Sequence, residues 1–86
     1  MPLYFFNVHD NGPAAWDDIG SNLTCREDIE SHAMRLIIAA RSRHKTHGQI
    51  GVTTTVLVQY EDGGIALTAI DRPGRDVLFV WSADRQ

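Results

Sequence analysis

The chain has 86 residues, 43% of them apolar and 22% charged, which is ordinary for one small globular domain. A chain this short buries only roughly 60–65% of its unfolded surface, so two domains and any large enzyme fold are excluded. Eight basic against eleven acidic residues give a net charge of −3, opposite in sign to a generally basic nucleic-acid binder or a polybasic membrane anchor.

A single cysteine allows no internal disulfide and no four-cysteine zinc site. The apolar opening, residues 1–6, is short, lacks a basic segment and runs at once into Asn7, His9 and Asp10, so it does not read as a signal peptide. No apolar run approaches the ~20 residues of a membrane helix. The expected location is the cytoplasm. No stretch carries a specific catalytic or ligand signature, and no cofactor is expected.

Residues 3–8 are aromatic and β-prone and predict a strand. Asn11-Gly12-Pro13 predicts a turn, and residues 14–17, anchored by Trp16, a short return strand. Residues 18–22 read as loop. Thr24 followed by Glu27 fits a capping box and predicts a helix over 25–43, with Thr24 as N-cap. Cys25, Ile29, Ala33, Leu36, Ile37 and Ala40 form its apolar stripe, and Met34 and Ile38 widen it. Gly48 is a natural end to the region after the helix. Strand patterns follow over 51–60, with Val52, Thr54, Val56, Val58 and Tyr60 on one face, then over 65–70 and 77–81. Turns at 61–64 and 71–75 separate them. Residues 82–86 read as a frayed tail.

The order ββαβββ predicts a single α+β domain over 1–86. It is a two-layer sandwich, an antiparallel sheet with one helix on one face. If the helix returns the chain to the far side of the first strand, the sheet order is 2-1-3-4-5. One helix covers one sheet face, yet the first and last strands are apolar on both. An uncovered apolar face is unusual in a soluble monomer. The second face, or the edge at 77–81, is therefore expected to pack on another copy, with Leu3, Phe5, Leu78, Val80 and Trp81 as candidate self-association residues. The alternative is that residues 11–22 fold over that face.

The opening Met1-Pro2-Leu3-Tyr4-Phe5-Phe6 resembles that of a family of short uncharacterised alphaproteobacterial proteins, common in rhizobia and relatives, which begin Met-Pro-x-Tyr-Phe-Phe. An acidic segment ending in glycine (Asp17-Asp18-Ile19-Gly20), then Leu23, a helix and the acidic-glycine turn Glu61-Asp62-Gly63-Gly64 follow the same layout. The resemblance covers residues 1–70. The helix here is poorer in alanine, and residues 71–86 look like an extension. The family is a domain of unknown function, so the resemblance implies a fold and a bacterial cytosolic setting and no catalytic residues.

Charge is segregated. Residues 1–30 hold six acids and one base, residues 31–50 four bases and no acid, and residues 51–86 five acids and three bases. Arg35, Arg41, Arg43, Lys45 and His47 are therefore the candidate partner- or anion-binding residues, for a phosphate, an RNA backbone or an acidic partner. The competing explanation is that acids at the helix start and bases at its end complement the helix dipole.

The other constellations are weaker. His44-x-x-His47, with His32, could share a metal, but no third ligand sits at a diagnostic spacing. Cys25 at a helix start could be activated if His9 or His32 came close; its apolar stripe favours burial instead. His9-Asp10 resembles part of a phosphohydrolase ligand set without the rest. The aromatics of the end strands lack the flanking bases of a nucleic-acid stacking platform. The expectation is a non-enzymatic, self-associating binding or regulatory module. An RNA- or phosphate-ligand-binding protein using the basic segment is the first alternative. A small enzyme assembled at a dimer interface around Cys25 is the second.

Overall fold

Strand β1, Leu3–Asp10, is the second strand of the sheet, and its alternation of large apolar side chains sorts the two faces. A computed structural model describes residues 2–82, so the tail at 83–86 lies outside the described residues. Four more strands, β2 (Ser21–Asn22), β3 (Thr54–Tyr60), β4 (Ile65–Asp71) and β5 (Leu78–Trp81), complete an antiparallel sheet in the order β2-β1-β3-β4-β5. A single helix, α1 (Arg26–Thr46), packs across one face. This is the expected α+β sandwich.

The α1 residues Ile29, Ala33, Ile37 and Ala40 recur at helical spacing and are buried. Ile29, Ala33 and Ile37 pack in one cluster with Phe6 and Val8 of β1, Val56 and Val58 of β3, and Leu67 and Ala69 of β4. Ala33 and Ala40 have no exposed surface, and their small side chains let the helix axis approach the sheet. Ile37 is fully buried, which stabilises the fold by about 1.5–3 kcal/mol relative to exposure. β4 carries one irregularity: Val58 faces Leu67 and Gln59 faces Ile65, so Ala66 is an extra, buried residue.

Several local expectations are corrected. The return strand expected at 14–17 is one bridge, Val8 to Ala15, and the second strand is Ser21–Asn22, inside the segment 18–22 expected to be loop. The cause is Asp17. Where a ladder would join Phe6 to the Asp17 backbone, the Asp17 Oδ2 accepts the Phe6 N–H at 3.0 Å instead. Asn7 Oδ1 takes the Asp17 N–H at 2.8 Å. Continued from Val8–Ala15, the register would set Tyr4 opposite Ile19; it faces Ser21, so two residues are looped out.

The helix starts one residue late and ends three late. Cys25, not Thr24, is the N-cap, no side-chain bond closes it, and the first-turn acids Glu27 and Asp28 complement the dipole in place of a capping box. Cys25 is exposed rather than buried. At the other end, Gly48 adopts a φ of 69°, open to glycine at little cost. Its N–H bonds to the Lys45 carbonyl at 3.1 Å and the Gln49 N–H to the His44 carbonyl at 2.8 Å. That is a Schellman closure, and it carries the helix through Thr46.

The outer sheet face is covered in part by the chain itself. Gly20, at a φ of 81°, lies so close to Leu3 and Phe5 that a Cβ there would come within 2.9 Å of the Leu3 side chain. The Trp16 ring meets His9 edge-on, with centroids 5.4 Å apart. Asn7 is buried and donates to Gln59 Oε1 at 2.6 Å. On the other half of that face Ile65, Leu78 and Val80 stay 44%, 44% and 47% exposed.

Candidate functional site at the C-terminal end of the helix

The helix stripe changes character at its C-terminal end, and so does the sheet beneath it. Past Ala40, the helix presents Arg41 and His44. Past the valines and leucines, the sheet presents Asp10, Thr54 and Asp71, which face one another across β1, β3 and β4. Arg41 grips Asp71 through two bonds, Nε to Oδ2 at 2.9 Å and Nη2 to Oδ1 at 2.8 Å. The bond raises the Arg41 pKa further. His44 Nε2 donates to Asp10 Oδ2 at 2.9 Å, and Arg43 reaches the same oxygen at 3.3 Å. The His44 hydrogen bond outweighs partial burial and, with Arg43, holds the Asp10 carboxyl below its usual value. Between the two pairs the Thr54 hydroxyl is buried with no hydrogen-bond partner among the described residues.

Above this layer lies an open groove of about 690 Å³. Its walls are the last helix turn, the segment 48–52 and the turn 72–76. Four cationic side chains line it, Arg41, Lys45, Arg72 and Arg75, against two carboxylates, Asp71 and Asp76. Arg41 and Asp71 neutralise each other. Lys45, Arg72 and Arg75 have no ion-pair partner among the described residues.

Of the five residues expected to form a basic patch, the groove brings together Arg41 and Lys45. Arg43 is turned to Asp10. Arg35 sits six residues before Arg41 and contacts the His32 ring at 3.4 Å. His47 is the C-cap, its N–H on the Arg43 carbonyl. Sequence reasoning missed Arg72 and Arg75. The signal was present: in an antiparallel sheet, the end of α1, the start of β3 and the end of β4 must meet at one edge of the molecule.

The other candidates separate. His9 faces Trp16 on the outer face while Asp10 faces the helix, so the pair cannot act on one ligand. His32 packs on the Phe6 ring, with centroids 4.3 Å apart; burial lowers its pKa, with Arg35 adding to the effect. Among the described residues no three His, Cys, Asp or Glu side chains are placed to hold a metal ion. The dipole of the Asp28 backbone amide favours the Cys25 thiolate, but the Asp28 and Glu27 carboxylates outweigh it and push the thiol up, the wrong direction for a nucleophile. Of the expected self-association residues, Leu3 and Phe5 lie against Gly20. Trp81 turns to the helix side, where its Nε1 donates to Glu30 Oε2 at 2.7 Å and Arg26 stacks 4.7 Å from its ring. Leu78 and Val80 remain on the outer face.

Fold and groove define a small α+β protein, one helix laid on an antiparallel sheet, with a basic groove where the helix ends. The chain belongs to the family described as a domain of unknown function (DUF6894), whose pattern matches residues 3–70. That span stops one residue short of Asp71, so the turn 72–76 and β5 lie beyond it. No curated protein and no solved structure matches the chain. No described helix is long and apolar enough to cross a membrane.

Proposed function

We propose that this protein is a non-enzymatic binding module that works as a dimer of identical chains. The observation that carries the reading is the free edge of β5. Its far side pairs with no strand among the described residues. Residues 77–81 contain neither a charge nor a proline, the usual protections of an open edge. On the same strand Leu78 and Val80 stay nearly half exposed, beside Ile65. An antiparallel strand about a two-fold axis is its own complement, so two β5 edges pair and two outer faces continue one another.

Two further points support a binding role over catalysis. The thiol of Cys25 is pushed away from the thiolate, and His9 and Asp10 point to opposite faces. The likeness of the first ten residues to the rhizobial proteins supports a bacterial cytosolic setting. Native mass spectrometry of the untagged protein, beside Val80→Lys, is the test. The expected result is a dimer that the substitution converts to monomer. A wild-type chain that is monomeric at micromolar concentration overturns the reading.

A further inference from the structure

The groove at the end of the helix carries a second inference, independent of the dimer. We propose that it binds a small organic phosphate, the phosphate meeting Lys45, Arg72, Arg75 and the Nη1 of Arg41, and the apolar body resting on Ile50, Val52 and Pro73.

Four observations converge on this ligand. The first is charge. With Arg41 and Asp71 paired, Lys45, Arg72 and Arg75 against Asp76 leave an excess of two positive charges, which matches a phosphate dianion. The chain as a whole is acidic, so this is a local reversal of sign. The second is donor geometry. Arg41 uses Nε and Nη2 on Asp71 and leaves Nη1 with both its hydrogens, on a side chain that is 48% exposed. Asp71 thereby holds one donor rigid at the groove wall, which lowers the ordering cost of binding.

The third observation concerns the helix end. A helix C-terminus normally repels anions through its unpaired carbonyls. Here the carbonyls of Arg43, His44 and Lys45 are each taken by an N–H, from His47, Gln49 and Gly48. The closure removes much of that repulsion. The fourth is size and lining. About 690 Å³ falls within the range of small-molecule sites. Ile50 is 95% exposed at the groove, an apolar surface with nothing of this chain upon it. A bare phosphate ion has no use for it, whereas an aryl or nucleoside body does. Lys45, Arg72 and Arg75 share one concavity instead of a long stripe of the kind that tracks a nucleic-acid backbone.

The test is amide chemical-shift mapping with phenyl phosphate as the probe, on the intact protein and on Lys45→Gln/Arg72→Gln/Arg75→Gln. The three side chains are exposed, so the variant is expected to keep the wild-type melting temperature. The expected result is saturable shifts at Gly48, Gln49, Gly51 and Gly74, and an affinity lowered about tenfold or more in the variant. Inorganic phosphate is expected to shift the same amides more weakly. No saturable shift at millimolar phenyl phosphate, or equal affinity in the variant, overturns the site. Equal affinity for inorganic phosphate overturns the apolar body. Tight, salt-sensitive binding of a single-stranded RNA oligonucleotide, with shifts spread beyond the groove, overturns the small-molecule assignment. None of these readouts depends on dimerisation, so the two proposals fail separately.

Discussion

Replacing Asp17 should unfasten the segment 11–20 from the sheet. Its carboxylate accepts the Phe6 N–H on one oxygen at 3.0 Å and the Ile19 and Gly20 N–H groups on the other at 3.1 and 3.0 Å. Burial opposes its ionisation, yet these three donors hold its pKa below the usual value. A hydrogen bond to a charged group contributes about 1.5–3 kcal/mol, but the Ile19 bond is exposed and the three share one side chain. For Asp17→Ala the working figure is about 2–4 kcal/mol, with the half-buried Phe6 N–H left unpaired as the largest part. Asp17→Asn keeps one acceptor and turns an NH₂ toward another donor, so about half that loss is expected. In a domain of this size each kcal/mol moves the melting temperature by about 4–8 °C, so Asp17→Ala should fall by about 8–32 °C. Urea unfolding with a common slope gives the free energy directly. A loss below about 0.5 kcal/mol, the range of an ordinary surface substitution, would refute the idea that Asp17 fastens this segment.

Thr54→Val removes a buried hydroxyl with no partner among the described residues and keeps the shape, so urea unfolding should find the variant unchanged or more stable by about 1–2 kcal/mol. Gly20→Ala forces a side chain into a φ of 81° and onto Leu3, and should cost about 1–3 kcal/mol by the same assay. Arg41→Met leaves the largely buried Asp71 carboxylate alone. The arginine is half exposed, so the loss in thermal unfolding should be about 1–2 kcal/mol, below that of a fully buried pair. Acid should weaken the fold in two steps. The His32 pKa lies below its ordinary 6.5, so its contribution is complete above pH 6.5 and is lost as pH falls below that. Asp10 and Asp17 lie below their ordinary 3.8, so theirs is complete well above that value and is lost as pH falls through and below it. Urea midpoints measured from pH 7 to pH 3 read both steps, and Asp17→Asn should flatten the lower one.

Periodicity alone determined the secondary elements that pack by burial. The spacing of Ile29, Ala33, Ile37 and Ala40 specifies a helix face, and the alternation from Thr54 to Tyr60 a strand with one face buried, because apolar surface must leave water whatever its partner. The strand order depends on the helix returning the chain to the far side of β1, a condition that spacing does not set and the tertiary fold meets. Polar substitution of the backbone was not legible. Nothing local marks Asp17 as the acceptor for a strand eleven residues away, and its capture of the Phe6 N–H moved β2 from 14–17 to Ser21–Asn22. The basic segment was legible as composition and misleading as a site, since charge count does not say which cations meet carboxylates from other strands. Asp10 and Asp71, distant in sequence, took Arg43, His44 and Arg41. The free cations of the groove come from the helix end and from a turn 27 to 30 residues further on, which only the antiparallel return of β3 and β4 brings together. Short-range spacing carries the hydrophobic pattern, because burial is non-directional. Ion pairs and hydrogen bonds are directional and short, so their partners are decided by the tertiary fold.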